Sequence, residues 1–470
     1  MKILVTGATG YVGGRLVPRL VKAGHEVTIL VRNPTNIKGR SWSDQVKVAK
    51  ADLLQKSSIV LNEVFDVAYY LVHSMTDTRD FARQDAIAAR NFSDSLPETT
   101  HIIYLGGISP EGDNPSEHLT SRIEVGRILG KHRRVTEFRA GPIIGSGSAS
   151  FEMVRNLTER LPVMIAPQWV NNQIRPIAIR DMLDYLIIAS EEKPVGIYDI
   201  GGESIRFIDM MLQWAKVRHL KRLIIPIPLL APWLAAKWVG LVTPIPNRIA
   251  VPLVKGMLTS IIGDTSAATR LFPSIKPLDY GSAIKLADAK IEENFIETRW
   301  SGSLGSEKSF ILEEREGIIH ETRTIECSAS CEEVFLVFSS AGGDNGWFAW
   351  NWAWKLRGIV DRIIGGPGIR RGRRHPTEVL NGEAIDFWRV EEIIPNQLLR
   401  LRAEMKVPGK AWLEWSTRRI EDGKTMLTQT AFFNPSGIMG RLYWILLYPI
   451  HGWIFNDMIH AIKIRAEKES

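Results

Sequence analysis

The opening of the chain constrains its fold most: residues 2 to 6 form a short apolar strand, Gly7, Gly10 and Gly13 punctuate the turn that follows, and a helix begins near Tyr11. Gly7 permits a tight turn, Gly10 lets backbone N–H groups approach a pyrophosphate, and Gly13 lets the helix pack closely on the strand. The orphan N–H groups and positive dipole end of that helix then suit phosphate. This strand–turn–helix predicts a doubly wound parallel α/β sheet with a dinucleotide at its edge. The residues expected around the nucleotide are Gly7, Thr9, Gly10, Tyr11, Val12 and Gly13.

Strands alternate with helices through the first third: strands near 26–31, 67–72, 102–105 and 135–139, and a helix near 118–130. With its GxxGxxG spacing, the chain to about residue 300 resembles the short-chain dehydrogenase/reductase superfamily, in the extended and atypical branches that include the NAD-dependent epimerase/dehydratase-like and NmrA-like proteins. The resemblance implies that Asp52 and Leu53 contact the adenine and that Val72, His73 and Ser74 pass the cofactor. Arg32 stands after the second strand, where an NAD-type site would carry an acid. A guanidinium there suits a 2′-phosphate, so NADP is the expected cofactor. Residues 139–142, 175–181 and 195–202 are similar to the family passages leading into a substrate lobe, expected at about 150–300. Trp169, Trp214, Trp233 and Trp238 give that lobe an apolar floor, and Asp181 reads as a helix N-cap.

The chemistry turns on a departure from this family. Its members place a Tyr and, four residues later, a Lys on one helical face for proton transfer and for holding the nicotinamide ribose. Here His118 occupies the Tyr position and Arg122 the Lys position. Arg122 can donate to ribose hydroxyls but stays charged, whereas His118 titrates near neutrality and is a candidate acid or base. The family's hydroxyl residue after the fifth strand is replaced by Gly106 or Gly107, leaving Ser109 as a candidate hydroxyl. Three readings follow: an NADP(H)-dependent oxidoreductase acting on an apolar small molecule, a non-catalytic NADP(H)-binding sensor or accessory protein, and a sugar-nucleotide epimerase or dehydratase. The last would need the missing Tyr/Lys pair.

The pattern changes near residue 300, and 301–313 reads as a polar linker. In 314–470 a strand at 320–327 precedes a capping box, Ser330 to Glu333, a helix through Phe338 and a helical stretch at 347–364. Strands are expected near 384–393, 398–405, 410–420 and 426–434, with Asp422-Gly423 turning between the last two, and a helix at 438–468. This order resembles the helix-grip fold of START-like and polyketide-cyclase-like proteins. The module holds nine of the fifteen tryptophans. Trp347, Trp350, Trp352 and Trp354, expected within one helix, either wall a site for a flat apolar ligand or pack the core. Residues 369–375 form a cationic loop that could meet phosphate or an anionic membrane surface.

The net charge of +7 over 470 residues is too diffuse for nucleic acid, and leaves a small apolar ligand and a peripheral membrane contact as expected partners. Cys327 and Cys331 lack partnering histidines, so no metal site is expected and a reducing, cytoplasmic setting fits. The first strand begins at Lys2, which leaves no room for a signal peptide, and the longest uncharged runs are too short or too proline-broken to span a bilayer. The oligomeric state is open.

Overall fold

Strand β1 (Lys2–Thr6) buries Ile3, Leu4 and Val5 completely, as a central strand covered on both faces must. The computed structural model describes the chain except residues 38–39, 41, 74–79, 111–115, 133, 229–238, 240–246, 293–318, 369–371, 421–423, 436 and 470. The chain divides into two compact units, Met1–Leu304 and Gly305–Ser470. Ser74, Trp233, Trp238, the 301–313 linker, residues 369–371 of the cationic loop and the Asp422-Gly423 turn therefore lie outside the described residues.

In the first unit β2 (Glu26–Val31), β3 (Lys47–Lys50), β4 (Val67–Tyr70), β5 (His101–Gly107), β6 (Val135–Ala140) and β7 (Gly196–Ile200) join β1 in a seven-stranded sheet. Its order is β7-β6-β5-β4-β1-β2-β3 and every pairing is parallel. This is the Rossmann-like, doubly wound architecture the sequence predicts. Helices α1 (Gly13–Lys22), α2 (Phe81–Asp94) and α3 (Glu117–Leu129) flank it. Alternate residues of β1 feed opposite cores: Ile3 and Val5 pack with Leu16 and Leu20 of α1, and Leu4 packs with Phe92 of α2 and Leu129 of α3. Strand order reverses between β1 and β4, and ligands of such sheets bind beyond the carboxyl ends of the strands at that point.

Helices α4 (Ala149–Arg160), α5 (Ile179–Glu192), α6 (Phe207–Val217), α7 (Asn247–Gly256), α8 (Ser266–Leu271) and α9 (Tyr280–Glu292) complete the unit. Phe151, Val154, Met210, Trp214 and Ile284 share a separate core in the lobe. The three sequence landmarks converge on Arg175. Its Nη1 donates to Gly202 O at 2.9 Å and its Nε to Ile262 O at 2.6 Å. A Cβ at Gly141 would lie 2.0 Å from Arg175 O, so only glycine fits there. Asp181 is not the N-cap. Ala178 holds that position, and Asp181 sits inside the first turn of α5, where it accepts Leu278 N–H at 2.7 Å and pairs with Arg180. The helix starts directly from the Ile177–Ala178 strand, so the carboxylate is free to tether a distant segment while favouring the helix dipole.

The second unit is an antiparallel sheet with helices. Strands β8 (Ile319–Cys327), β9 (Ala384–Ile385), β10 (Trp388–Ile394), β11 (Leu398–Ala403), β12 (Gly409–Arg419) and β13 (Thr425–Pro435) run in the order β8-β13-β12-β11-β10-β9. Helices α10 (Cys331–Ser339), α11 (Asn351–Ile363) and the long C-terminal α12 (Gly437–Glu469) accompany them. Ser330 and Glu333 form the expected capping box on α10. The four clustered tryptophans do not share one helix. Trp350 adopts a left-handed conformation (φ 52°) that starts α11 one residue later, and Trp347 precedes it. Trp347 stacks on Phe387 at 6.1 Å and lies 5.7 Å from Trp354, in the core, whereas Trp352 is exposed.

Candidate functional site

The glycine turn is built as its sequence requires. Gly7 has φ +70°, and a Cβ there would lie 2.6 Å from Leu71 O; one at Gly13 would lie 2.3 Å from Gly7 O. Gly10 N–H donates to Gly7 O at 2.9 Å, and α1 starts at Gly13, two residues after the expected Tyr11. The first turn of α1 has no acidic residue and contains the buried Arg15, whose Nη2 donates to Ser146 O at 2.9 Å. Tyr11 lies beneath that guanidinium and donates to the same carbonyl. Thr9 and Val12 are half-buried in the turn, and Arg32 is exposed just beyond β2. Asp52 accepts Leu54 N–H at 3.0 Å, and Asn91 donates to Leu53 O at 2.8 Å, which shapes the loop after β3.

Thr6 locks the exit of β4. Its hydroxyl donates to Tyr69 O at 3.0 Å and accepts Leu71 N–H at 3.1 Å. Leu71 thus abuts Gly7, and two residues later His73 enters a chain of side-chain contacts at the same sheet edge. His73 Nδ1 lies 3.2 Å from Asp85 Oδ2, and His73 Nε2 lies 3.1 Å from His118 Nδ1. Asp85, on α2, is buried and also accepts from Ser121 Oγ at 3.1 Å. Ser116 caps α3, a contribution of about 1 kcal/mol, and so places His118 in its first turn.

The protonation order follows from these contacts. An ionised Asp85 accepts from His73 Nδ1–H; a neutral His73 then carries its lone pair on Nε2 and accepts from His118 Nδ1–H. The lone pair of His118 is left on Nε2. Burial, then His73, then Arg122 push the His118 pKa down, to about 2, and the positive end of α3 acts in the same direction. For His73, burial also lowers the pKa and outweighs the opposing pull of Asp85.

Arg122 lies across the end of β5. Its Nη2 donates to Leu105 O at 3.1 Å, and its Nε is buried without a partner among the described residues. A Cβ at Gly107 would lie 3.1 Å from Leu119 Cδ2, a tight approach, and 3.7 Å from Arg122 Cδ, an ordinary contact, so Gly107 lies against both side chains. The structure brings His118 and Arg122 to one edge with His73. Ser109 is half-buried nearby in sequence but makes no hydrogen bond to His118 or Arg122.

Asp85 and Ser121 escaped the sequence analysis, because nothing local distinguishes a carboxylate inside α2 from a solvated one. The available signal was His73 after β4 and His118 opening α3, the two histidines that the resemblance singled out. An apolar cleft in the lobe, lined by Met153, Leu157, Met164, Trp169, Phe207 and Met257 among others, adjoins a core that also contains Ile108 and Leu119, the neighbours of Ser109 and His118. Trp169 is half-buried there and Trp214 is fully buried in the core beside it. Among the described residues no cluster suits a metal ion, and no helix is long and apolar enough to cross a membrane.

Residues 1–90 match the model of the NmrA-like family, and residues 318–458 match a family described as proteins of unknown function (DUF2867). The chain is 41% identical over 69 residues to the chloroplastic divinyl chlorophyllide a 8-vinyl-reductase of Zea mays, a match spanning 15% of this chain and 16% of that protein. Similar solved structures include a nucleoside-diphosphate-sugar epimerase from Staphylococcus aureus (16% identity, 60% of this chain, 99% of that chain, TM-score 0.49). The Bordetella bronchiseptica enzyme WbmH, solved with NAD+, is another (14% identity, 62% of this chain, 98% of that chain, TM-score 0.46).

Proposed function

We propose that the N-terminal unit is an NADP(H)-dependent oxidoreductase that interconverts an alcohol and a carbonyl on an apolar small molecule, with His118 moving the substrate proton. The observation carrying this reading is the Asp85–His73–His118 chain, set beside the glycine turn at the switch point of the sheet. The turn and the α1 N-terminus would hold the pyrophosphate, the unpartnered Nε of Arg122 would reach a ribose hydroxyl, and Arg32 would pair with the 2′-phosphate. The bound nicotinamide supplies a carbon that accepts or gives hydride.

In the oxidation direction His118 Nε2 takes the hydroxyl proton as hydride leaves the adjacent carbon. The imidazolium so formed is relieved through His73 toward Asp85, as a carboxylate behind a histidine relieves it in other proton relays. In reduction the same proton returns to the carbonyl oxygen. Arg122 opposes the imidazolium; a dinucleotide held beside Arg122 would bring negative charge that offsets this opposition. The apolar cleft of the lobe supports an apolar substrate. For the C-terminal unit, the six-stranded antiparallel sheet and long terminal helix support a START-like relationship.

The depressed His118 and the glycines at 106 and 107 favour, as a second reading, an NADP(H)-binding sensor. One experiment separates the two: a turnover screen of ketones, quinones and enones with NADPH and with NADH. Turnover with NADPH is expected, and His118→Ala should lower it by ~10²–10⁴-fold while leaving NADPH affinity unchanged. Tight NADPH binding without turnover of any class would establish the sensor, and equal use of NADH would remove the NADP assignment.

A further inference from the structure

Two helices of the C-terminal unit turn apolar side chains to solvent. On α11, Trp352, Leu356, Ile359 and Ile363 recur at helical spacing along one stripe, with Trp352 63% and Ile363 71% exposed, while Trp354, Gly358 and Asp361 point into the unit. On the first half of α12, Leu442, Ile445, Leu446 and Trp453 form a second stripe, Leu446 being 73% and Trp453 63% exposed, opposite the buried Trp444, Ile454 and Phe455.

The stripes adjoin. Trp350 Nε1 donates to Asp457 Oδ2 at 2.8 Å and its ring lies 5.7 Å from that of Trp352, so the start of α11 meets α12 one turn beyond Trp453. Contiguous apolar surface of this kind marks an interaction site. Its charge is mainly positive, the exposed acid at its junction being Asp457, which Trp350 Nε1 already engages. Lys355 and Lys406 are exposed at its margin, and a Cβ on Gly365, just past α11, would lie 3.4 Å from Lys406 Nζ. Residues 437–456 contain no acid. The one acid of α11, Asp361, is fully buried, accepting Gly368 N–H at 2.9 Å and Lys406 N–H at 2.6 Å.

We propose that α11 and the first half of α12 dock this unit on the surface of an anionic lipid bilayer. Trp352, Ile363, Leu446 and Trp453 enter the boundary of the acyl region, and Lys355 and Lys406 meet headgroup phosphates. A second copy of the chain would bring apolar surface to the patch but only Asp457, already engaged by Trp350, to answer the lysines; an anionic bilayer supplies acyl chains and many phosphates. Tryptophan and tyrosine among the exposed residues fit a headgroup-level position, and the helices lie on the bilayer rather than across it.

The test is flotation of the full chain with vesicles of phosphatidylcholine, alone and mixed with phosphatidylglycerol. The protein should float with the mixed vesicles, and Leu446→Glu combined with Trp453→Glu should lower the bound fraction about tenfold. Trp352→Ser with Ile363→Ser, on the other helix, should do the same, and guards against misfolding of the first variant. Lys355→Glu with Lys406→Glu should abolish the preference for phosphatidylglycerol. Failure of the unaltered chain to float with anionic vesicles, or undiminished flotation of both apolar variants, would overturn the proposal. So would a dimer in sedimentation velocity that the apolar variants dissociate, because the face would then belong to a second copy.

Discussion

Each unit buries carboxylates, and two of them, Asp85 and Asp386, are used differently. Asp85 in the first unit faces His73, which can carry a proton onward to His118. Asp386 in the second accepts from Trp347 Nε1 at 2.9 Å and from Gly343 N at 3.0 Å, two donors that never release their protons. Burial raises the Asp386 pKa to about 6 against the pull of those donors. A buried acid is therefore no functional signal by itself; what decides is whether its partner can change protonation state and has a neighbour to pass the proton to.

The same substitution at both acids should break this symmetry most strongly. Asp85→Asn should cost ~10²–10³-fold in turnover, since an amide cannot relieve the imidazolium, with melting temperature nearly unchanged. Asp386→Asn should leave turnover intact, because an amide oxygen can still accept from both donors. Equal losses in the two variants would refute the contrast.

Next in size, Asp386→Ala should destabilise the C-terminal unit by about 2–3 kcal/mol, as it strands the buried Trp347 indole N–H and the half-buried Gly343 N–H, and NADPH affinity should not move. Denaturant melts of the full chain beside calorimetric NADPH titration would read both quantities. A loss below the error of the melt would mean that Trp347 and Gly343 find other acceptors.

The finest contrast, a difference between two slopes, is in pH. His73, His118 and His101 are all lowered below the ordinary histidine value, His101 to about 4 by burial followed by nearby cations. The unfolded chain takes up those protons near pH ~6.5 while the folded chain does not, so stability present above that pH is lost as pH falls, by up to ~1.4 kcal/mol per unit for each histidine. In the C-terminal unit His451, lowered to about 4, acts the same way, but Asp386 acts oppositely. A raised carboxyl favours folding at low pH and loses that contribution as pH rises through about 6. The N-terminal transition, identified in calorimetry by its rise on adding NADPH, should therefore fall more steeply from pH 6.5 to 4 than the C-terminal one. A steeper C-terminal slope would reverse the assignment.

Much of the architecture was legible because its causes are local. The continuous apolar runs of the central strands, the glycine turn before α1 and the capping box of α10 each depend on neighbours within a few residues. The tryptophan cluster misled, because a helical spacing of aromatics could not reveal that Trp350 takes a left-handed conformation and starts α11 after itself. Asp181 looked like a cap because its apolar helix follows at once, yet the preceding strand had already begun that helix.

The sequence by itself determined the glycine turn, the parallel and antiparallel halves, and the spacing that puts His118 and Arg122 one turn apart on a single helix. Only the tertiary structure decided what His118 is connected to. Residues 73, 85 and 118 sit after β4, within α2 and at the start of α3, and they meet because two helices pack on one face of a sheet whose strand order reverses beside them. Hydrophobic periodicity and caps act over a few residues, whereas a hydrogen bond between side chains 45 positions apart exists only once the packing of whole elements has fixed their distance.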